Sequence, residues 1–412
     1  MFSLYMKGMR CGRKKRVVMD AEAQRQVVGP RYLRLIEKHL RVLHDQPAHG
    51  NRSFFLDHIV IAHLLAFFNP TVQGLRSIED LFEDPKRRKK FGLARAPKST
   101  IADAQRLFDP DLLLPLIDSL VQRAQIQPHD RRLDLLTKKL LAVDGSFFAV
   151  APRILWALFN QSEATGTRKG QVRLHINFDV LKGIPEAAAI TSGQVREAKV
   201  LQPKLKENCI YVLDRGFQAY QLIRDILAVK SDVVVRVRKP TTSKIMAIHP
   251  LTEEDIKEGV ISDHHIELRN SRKKQDLPTL RLITVAYTDR DDQPRDMLLL
   301  TTLMDIPAWM IAMIYQHRWQ VELFFRWLKT SAHFSHFFSE SESGMALQVN
   351  VMMIALLLIA IDTGARPSRY DYAIMSDVYS GETDLAVGLK IAARRRKERQ
   401  RAAELARKKR NK

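Results

Sequence analysis

Two aspartates stand at the ends of apolar runs: Asp144 in LLAVDGS and Asp214 in YVLDRG. An aspartate beside a glycine at a strand end is commonly a turn former. The same position also lets a carboxylate face a cleft. A third carboxylate lies in IAMIYQHRWQVELFFRWLKT. With Tyr315 set to zero and about 100° per residue, Arg318 falls at about 300°, Glu322 at about 340° and Lys329 at about 320°. The four polar side chains share a stripe about 60° wide. Most of the remaining surface is Ile, Val, Leu, Phe and Trp, so the helix reads as buried. Unpaired buried charge is costly, so the stripe calls for an anion, a metal or an internal ion pair.

Clustered carboxylates repel one another and stay ionised best around hard cations. If Asp144, Asp214 and Glu322 converge, Mg²⁺ is the expected ion, because it prefers oxygen ligands and keeps positions for water and phosphate. Two such ions about 4 Å apart stabilise both the attacking and the leaving oxygens of a phosphodiester. Mn²⁺ is the expected substitute. Arg318 and Lys329 would hold phosphates, and Tyr315 would hydrogen-bond one.

The surrounding elements must bring these residues together. Residues 19–130 read as helical, with apolar positions at three- and four-residue spacing in VVGPRYLRLIEKHLRVLHD, FFLDHIVIAHLLAFFN and DLLLPLIDSLVQRAQ. Between the last two, the basic run Lys86, Arg87, Arg88, Lys89 and Lys90 feeds a helix capped by Ser99 or Thr100, with a solvated linker as the alternative reading. Such a run suits phosphate contact. From about residue 138 come strand patterns: KKLLAVDGSFFAV, GQVRLHINFDV and PEAAAITSG, then NCIYVLDRGF and SDVVVRVRK with helices between. That order indicates a mixed α/β sheet. KIMAIHP, HHIELRN, LRLITVAYTD and DMLLLTTL read as an inserted β region, followed by one long helix from Pro307 to Thr330.

The chain has 412 residues, with Lys+Arg 67 against Asp+Glu 46, a net charge of +21. So large an excess is self-repulsive unless a polyanion shares the surface, and nucleic acid is the first candidate. A membrane loses weight, because the longest apolar run, Val351 to Ile361, is too short to span a bilayer. Cys11 and Cys209 are the only cysteines, which excludes a disulfide framework and a four-cysteine zinc site. Residues 1–18 read as basic and poorly ordered, without signal-peptide character. His175 reads as a core histidine, and His264 and His265 lack zinc-site spacing. The basic C-terminus, Arg394 to Lys397 and Arg407 to Arg410, reads as a tail for DNA contact by counterion release or for solubility.

Tyr315-x2-Arg318-x3-Glu322-x6-Lys329 resembles the Y-R-E-K signature of the insertion-sequence-four family of bacterial DDE transposases. RWQVELFFRWLK around it, DGSFF at Asp144 and LDRGF at Asp214 are similar to further motifs of that family. The resemblance covers roughly residues 138–360. It implies an α/β, ribonuclease H-like mixed sheet with a β-rich insertion, flanked by helical N- and C-terminal regions. The implied division is a DNA-binding region at 1–130, catalytic parts at 131–239 and 301–365, the insertion at 240–300 and a basic tail at 366–412. It further implies Asp144, Asp214 and Glu322 as ligands of two Mg²⁺ ions. Tyr315, Arg318 and Lys329 would contact double-stranded element ends, with Lys86 to Lys90 in the DNA-binding region. A homodimer would act on terminal inverted repeats and target DNA in the cytoplasm, at the nucleoid, with no membrane role. The family's base-stacking tryptophan has no counterpart between residues 240 and 300, where Tyr287 is the only Phe, Trp or Tyr. Two other readings stay open: a ribonuclease H-like structure-specific nuclease, and a non-catalytic DNA-binding protein derived from a transposase.

Overall fold

The computed structural model describes residues 33–46, 54–69, 71–72, 74–126, 131–160, 168–238, 243–268, 277–289, 291–330, 332, 334 and 336–410. The expectations for residues 1–18, for Cys11 and for the start of the first helix lie outside them. The side chains of Arg87 and Lys90 do too. The chain divides into two compact units, 1–126 with 327–412, and 127–326.

The helices of the first unit begin with α1 (Glu37–His44), α2 (Leu56–Phe67), α3 (Leu75–Glu83), α4 (Pro85–Phe91), α5 (Lys98–Leu107) and α6 (Leu114–Arg123). The basic run is a helix, α4, rather than a linker. Asp84 caps it by accepting from the Lys86 N–H at 2.9 Å. Pro85 supplies a first helical residue with no amide proton to satisfy, and Gly92 ends the helix at φ 63°. The next helix starts at Lys98 behind Pro97, so Ser99 and Thr100 lie inside its first turn and do not cap it.

The second unit holds one sheet. Its strands are β1 (Lys139–Val150), β2 (Leu158–Asn160), β3 (Arg168–Asp179), β4 (Ile184–Ser192), β5 (Cys209–Leu213), β6 (Asp232–Val237), β7 (Ser243–Ile248), β8 (Val260–Leu268), β9 (Leu280–Thr288) and β10 (Pro294–Thr301). The helices among and after them are α7 (Glu197–Leu201), α8 (Tyr220–Ala228), α9 (Glu253–Lys257), α10 (Ala308–His317) and α11 (Trp319–Thr330). The strand order is β2-β3-β1-β5-β6-β10-β9-β8-β7, with β4 also pairing β3. β1 pairs antiparallel with β3 and parallel with β5, and β5 pairs parallel with β6. This is the mixed α/β, ribonuclease H-like sheet expected. The strands after residue 240 extend that same sheet, because β10 turns back antiparallel onto β6. β5 is buried at every position, as an interior parallel strand must be. β7, at the far edge, is exposed at every position. Leu141, Val143, Tyr211, Leu213, Val233 and Val235 pack with Ile223 and Ile226 of α8 into one core.

In the outer part of the sheet, Arg281 is buried and forks onto Asp263, with Nε to Oδ1 at 2.8 Å and Nη2 to Oδ2 at 2.5 Å. Its Nη1 donates to the Met304 carbonyl at 3.3 Å. Removing one partner strands the other charge, so Arg281→Ala should cost about 3–5 kcal/mol. Chemical denaturation would measure this, and a loss under ~1 kcal/mol would contradict a buried, mutually dependent pair.

The expected helix 307–330 is two helices, α10 and α11, joined at Arg318. There the Arg318 N–H bonds the Tyr315 carbonyl at 3.0 Å, and the Val321 N–H bonds the Arg318 carbonyl at 3.1 Å. These three-residue bonds tighten the turn locally.

The chain closes with α12 (Glu342–Thr363), α13 (Arg369–Ser380) and α14 (Leu385–Arg410) in the first unit. The apolar run at 351–361 is part of α12, which by length and composition alone could cross a membrane. Within the unit, 89% of its most apolar window is buried, and α2, α5 and α6 pack around it. The serine-rich, acidic stretch before it serves as its start: Ser341 caps by accepting from the Gly344 N–H at 3.1 Å. The basic C-terminus is a helix, anchored where Arg396 donates to the Thr363 carbonyl at 3.2 Å.

Candidate active site

Asp144 sits in the middle of β1, beyond the point where that strand stops pairing with β5. Its side chain therefore emerges at an open end of the sheet. Its Oδ1 accepts from the Gly145 N–H at 2.8 Å. Asp214 follows the last residue of β5, and its Oδ1 accepts from the Gly216 N–H at 2.6 Å. Each aspartate is thus oriented by the amide of a glycine just after it.

Arg318 lies at the junction of α10 and α11. Its Nη2 donates to Glu322 Oε1, one turn on, and its Nη1 stands 3.7 Å from Asp144 Oδ2. Its guanidinium carbon is 5.7 Å from the centroid of the Tyr315 ring. Asp144 also feels the charges of Asp214 and Glu322, and Tyr315 feels those of Arg318 and Asp214. Asp144, Asp214, Glu322, Tyr315 and Arg318 therefore share one site. The i,i+4 contact between Arg318 and Glu322 survives the break in the helix, which is why the stripe read from the sequence still converges.

Burial, reinforced by Asp214 and Glu322, pushes the Asp144 carboxyl up to about 6, against the opposing pull of Arg318 and the Gly145 amide. Burial also raises the Tyr315 hydroxyl. The Nε and Nη1 of Arg318 are buried with no hydrogen-bond acceptor. Three neighbouring carboxylates supply the hard oxygen donors a divalent cation prefers, although their oxygens do not all lie within 4.8 Å of one another in this structure. A guanidinium with spare donors beside it fits a phosphate oxygen.

Lys329 lies further along α11, half-buried, and burial lowers its ammonium pKa. Lys86 and Lys89 are exposed on α4, and Arg88 is half-buried there. His175 is a buried core residue whose Nε2 meets Thr191 Oγ1 at 2.9 Å, and burial lowers its pKa to about 4. Tyr287 is half-buried on β9, and its hydroxyl accepts from Arg236 Nη2 at 3.0 Å.

Two residues that the sequence did not single out also belong here. Glu197, at the start of α7, feels the charges of both Asp144 and Asp214. Burial and those charges push its carboxyl up to about 7. Arg173 on β3 pairs with it, Nη1 to Oε2 at 3.3 Å. An acid in the first turn of a helix is ordinary helix chemistry, so the sequence carries only a faint signal of Glu197.

Residues 136–358 match the transposase DDE domain family, and the chain belongs to it. It is 28% identical over 230 residues to a candidate transposase of Sinorhizobium fredii, y4zB, covering 54% of this chain and 62% of that one. It is 26% identical over 280 residues to a candidate transposase for insertion sequence element IS5377 of Geobacillus stearothermophilus, covering 65% and 68%. A third relative, a candidate transposase for element IS4SA of Synechocystis, is 22% identical, with 64% and 71% covered. These insertion-sequence relatives are consistent with the insertion-sequence-four resemblance. The match spans less than two thirds of the first relative's length.

Proposed function

We propose that the protein is a metal-dependent DNA transposase. In this reading it binds the terminal inverted repeats of its element, cuts the ends and joins the 3′ ends to target DNA. The observation that carries the proposal is that Asp144 and Glu322 both meet Arg318 while Asp144 also feels the charge of Asp214. Those three carboxylates would hold two Mg²⁺ ions, or Mn²⁺, which when bound supply the charge that stabilises the entering and leaving oxygens of a phosphodiester.

The protein's own groups do the rest. The Gly145 and Gly216 amides hold the two aspartates in one orientation, which limits the reorganisation needed during reaction. Arg318 keeps Glu322 aligned and offers its spare donors to a phosphate oxygen. The Tyr315 hydroxyl stays protonated and can donate to another. Lys329, with its pKa lowered by burial, would bind a phosphate further along the end DNA. The N-terminal helices, with Lys86 to Lys90, would read the inverted repeats, and a homodimer would hold two ends together. The net charge of +21 supports a polyanionic partner.

The deciding experiment mixes the purified chain with labelled DNA carrying the element's own terminal repeat, with Mg²⁺ or with EDTA. Metal-dependent cutting at the repeat boundary, followed by joined products, is expected. Cutting of arbitrary branched DNA without joining would favour a structure-specific nuclease. Tight binding without any cutting would favour a non-catalytic DNA binder. In the same system, Arg318→Ala should weaken end complexes and reduce the slope of log affinity against log salt by about 1. An unchanged slope would remove Arg318 from the phosphate contacts.

A further inference from the structure

β1 alternates its side chains between the two faces of the sheet. Asp144 points to the side where it meets Arg318, at the junction of α10 and α11. Gly145 therefore faces the opposite side. A Cβ on Gly145 would lie 2.4 Å from Glu197 Oε1 and 2.9 Å from Arg173 Cδ. A Cβ on Gly216 would lie 3.3 Å from Glu197 Oε2 and 3.1 Å from Asp214 Oδ1. One carboxylate thus rests against both glycines, an oxygen on each. These are the same glycines whose amides orient Asp144 and Asp214. Arg173 fixes Glu197 from the other side, and its own guanidinium is braced at 4.1 Å over the Phe147 ring.

Glu197 makes no contact with Glu322 or Arg318 among the interactions described. It bears on the two aspartates through their charges and through the backbone that carries them. A side chain at Gly145 would push it away, and one at Gly216 would crowd it by a few tenths of an ångström.

We infer that Glu197 is a positioning residue: its carboxylate bridges Gly145 and Gly216 and holds Asp144 and Asp214 at the separation a divalent cation requires. The inference rests on the carboxylate reading of the site proposed above. It differs in assigning a role to a fourth acid that approaches from the other face of the sheet. Partners that orient ligands in this way typically contribute 10–100-fold to metal affinity.

The test is Mn²⁺ binding to the full chain, without DNA, followed by the electron paramagnetic resonance signal of free Mn²⁺. Glu197→Gln removes the charge at constant shape. Glu197→Asp keeps the charge but is too short to span both glycines. Both should raise the Mn²⁺ dissociation constant about tenfold, with the far-UV circular dichroism of the metal-free protein showing the fold retained. Gly145→Ala, which displaces Glu197 without altering its charge, should do the same, and serves if a Glu197 variant fails to fold. The double variant Gly145→Ala with Glu197→Gln should be no weaker than either alone, since both break one bridge. Wild-type binding in Glu197→Gln would overturn the inference. Wild-type binding in Glu197→Asp would overturn the bridging role, since charge alone would then suffice. Asp144→Asn in the same assay separates the two readings. If it loses Mn²⁺ while Glu197→Gln keeps it, only the present inference fails. If Asp144→Asn keeps it too, the carboxylate site itself fails.

Discussion

Glu322→Gln should abolish cutting at element ends while leaving end binding within a few-fold of wild type. Glu322 is half-exposed and held by Arg318, so the amide replaces the carboxylate without opening a cavity. It removes one of three hard oxygen donors, and the loss should exceed the roughly 100-fold that an outer-shell partner costs. Binding should survive because the electrostatic part of affinity comes from the many Lys and Arg contacts to phosphates. Released Arg318 can still face a phosphate. Gel-shift titration and denaturing gels on the same preparation separate the two effects. A variant that cuts at the wild-type rate would end the assignment of Glu322 as a metal ligand. A variant that neither binds nor cuts would point to a folding role instead.

Asp144→Asn should make the metal-free protein more stable, and more so at pH 7 than at pH 4. Burial comes first among the causes that move this carboxyl from 3.8 to about 6, with Asp214 and Glu322 adding to it. A raised acid binds more protons folded than unfolded between those two values. Its ionisation therefore costs nothing below the unfolded value, and the cost grows with pH until about 6. At 1.36 kcal/mol per unit, the asparagine variant should gain about 2–3 kcal/mol at pH 7 and almost nothing at pH 4. Urea denaturation at the two pH values measures it. Adding Mg²⁺ or Mn²⁺ at pH 7 should reverse the order, because a ligand that binds only the folded state stabilises it by mass action. An equal effect at both pH values would show that Asp144 carries no such burden.

The parts of this fold that were legible in the sequence are those set by local periodicity. LLAV before Asp144, the β5 run CIYVL and the VVV of β6 show their strands directly, because burial on both faces leaves short uninterrupted apolar strings. The stripe of Tyr315, Arg318 and Glu322 was legible because helical spacing fixes which side chains meet. Pairing was not legible. That β10 returns onto β6, and so fuses the later strands with the first sheet, depends on contacts between Leu298 and Val237 or Leu300 and Val235. No local pattern records those contacts. The helix at Pro85–Phe91 carried its signals, Asp84, Pro85 and Gly92, but five successive charges masked them. Glu197 was the least legible of all. Its significance comes from two glycines that are distant in sequence and adjacent in space.

The interruption of the sheet's chain order has a consequence for the timing of synthesis. Asp144 and Asp214 are translated and can pair into β1 and β5 well before Glu322 emerges. Between them and the third carboxylate lie five strands: β6, which pairs with β5, and β7 to β10, whose partners are mostly one another. Glu322 can reach the site only after that excursion has folded back through β10 onto β6. A nascent or truncated chain ending within it would carry both aspartates and the N-terminal helices, but not the full set of three carboxylates proposed as ligands. Because domains fold in order as the chain is made, chemical competence at this site is among the last properties the polypeptide acquires.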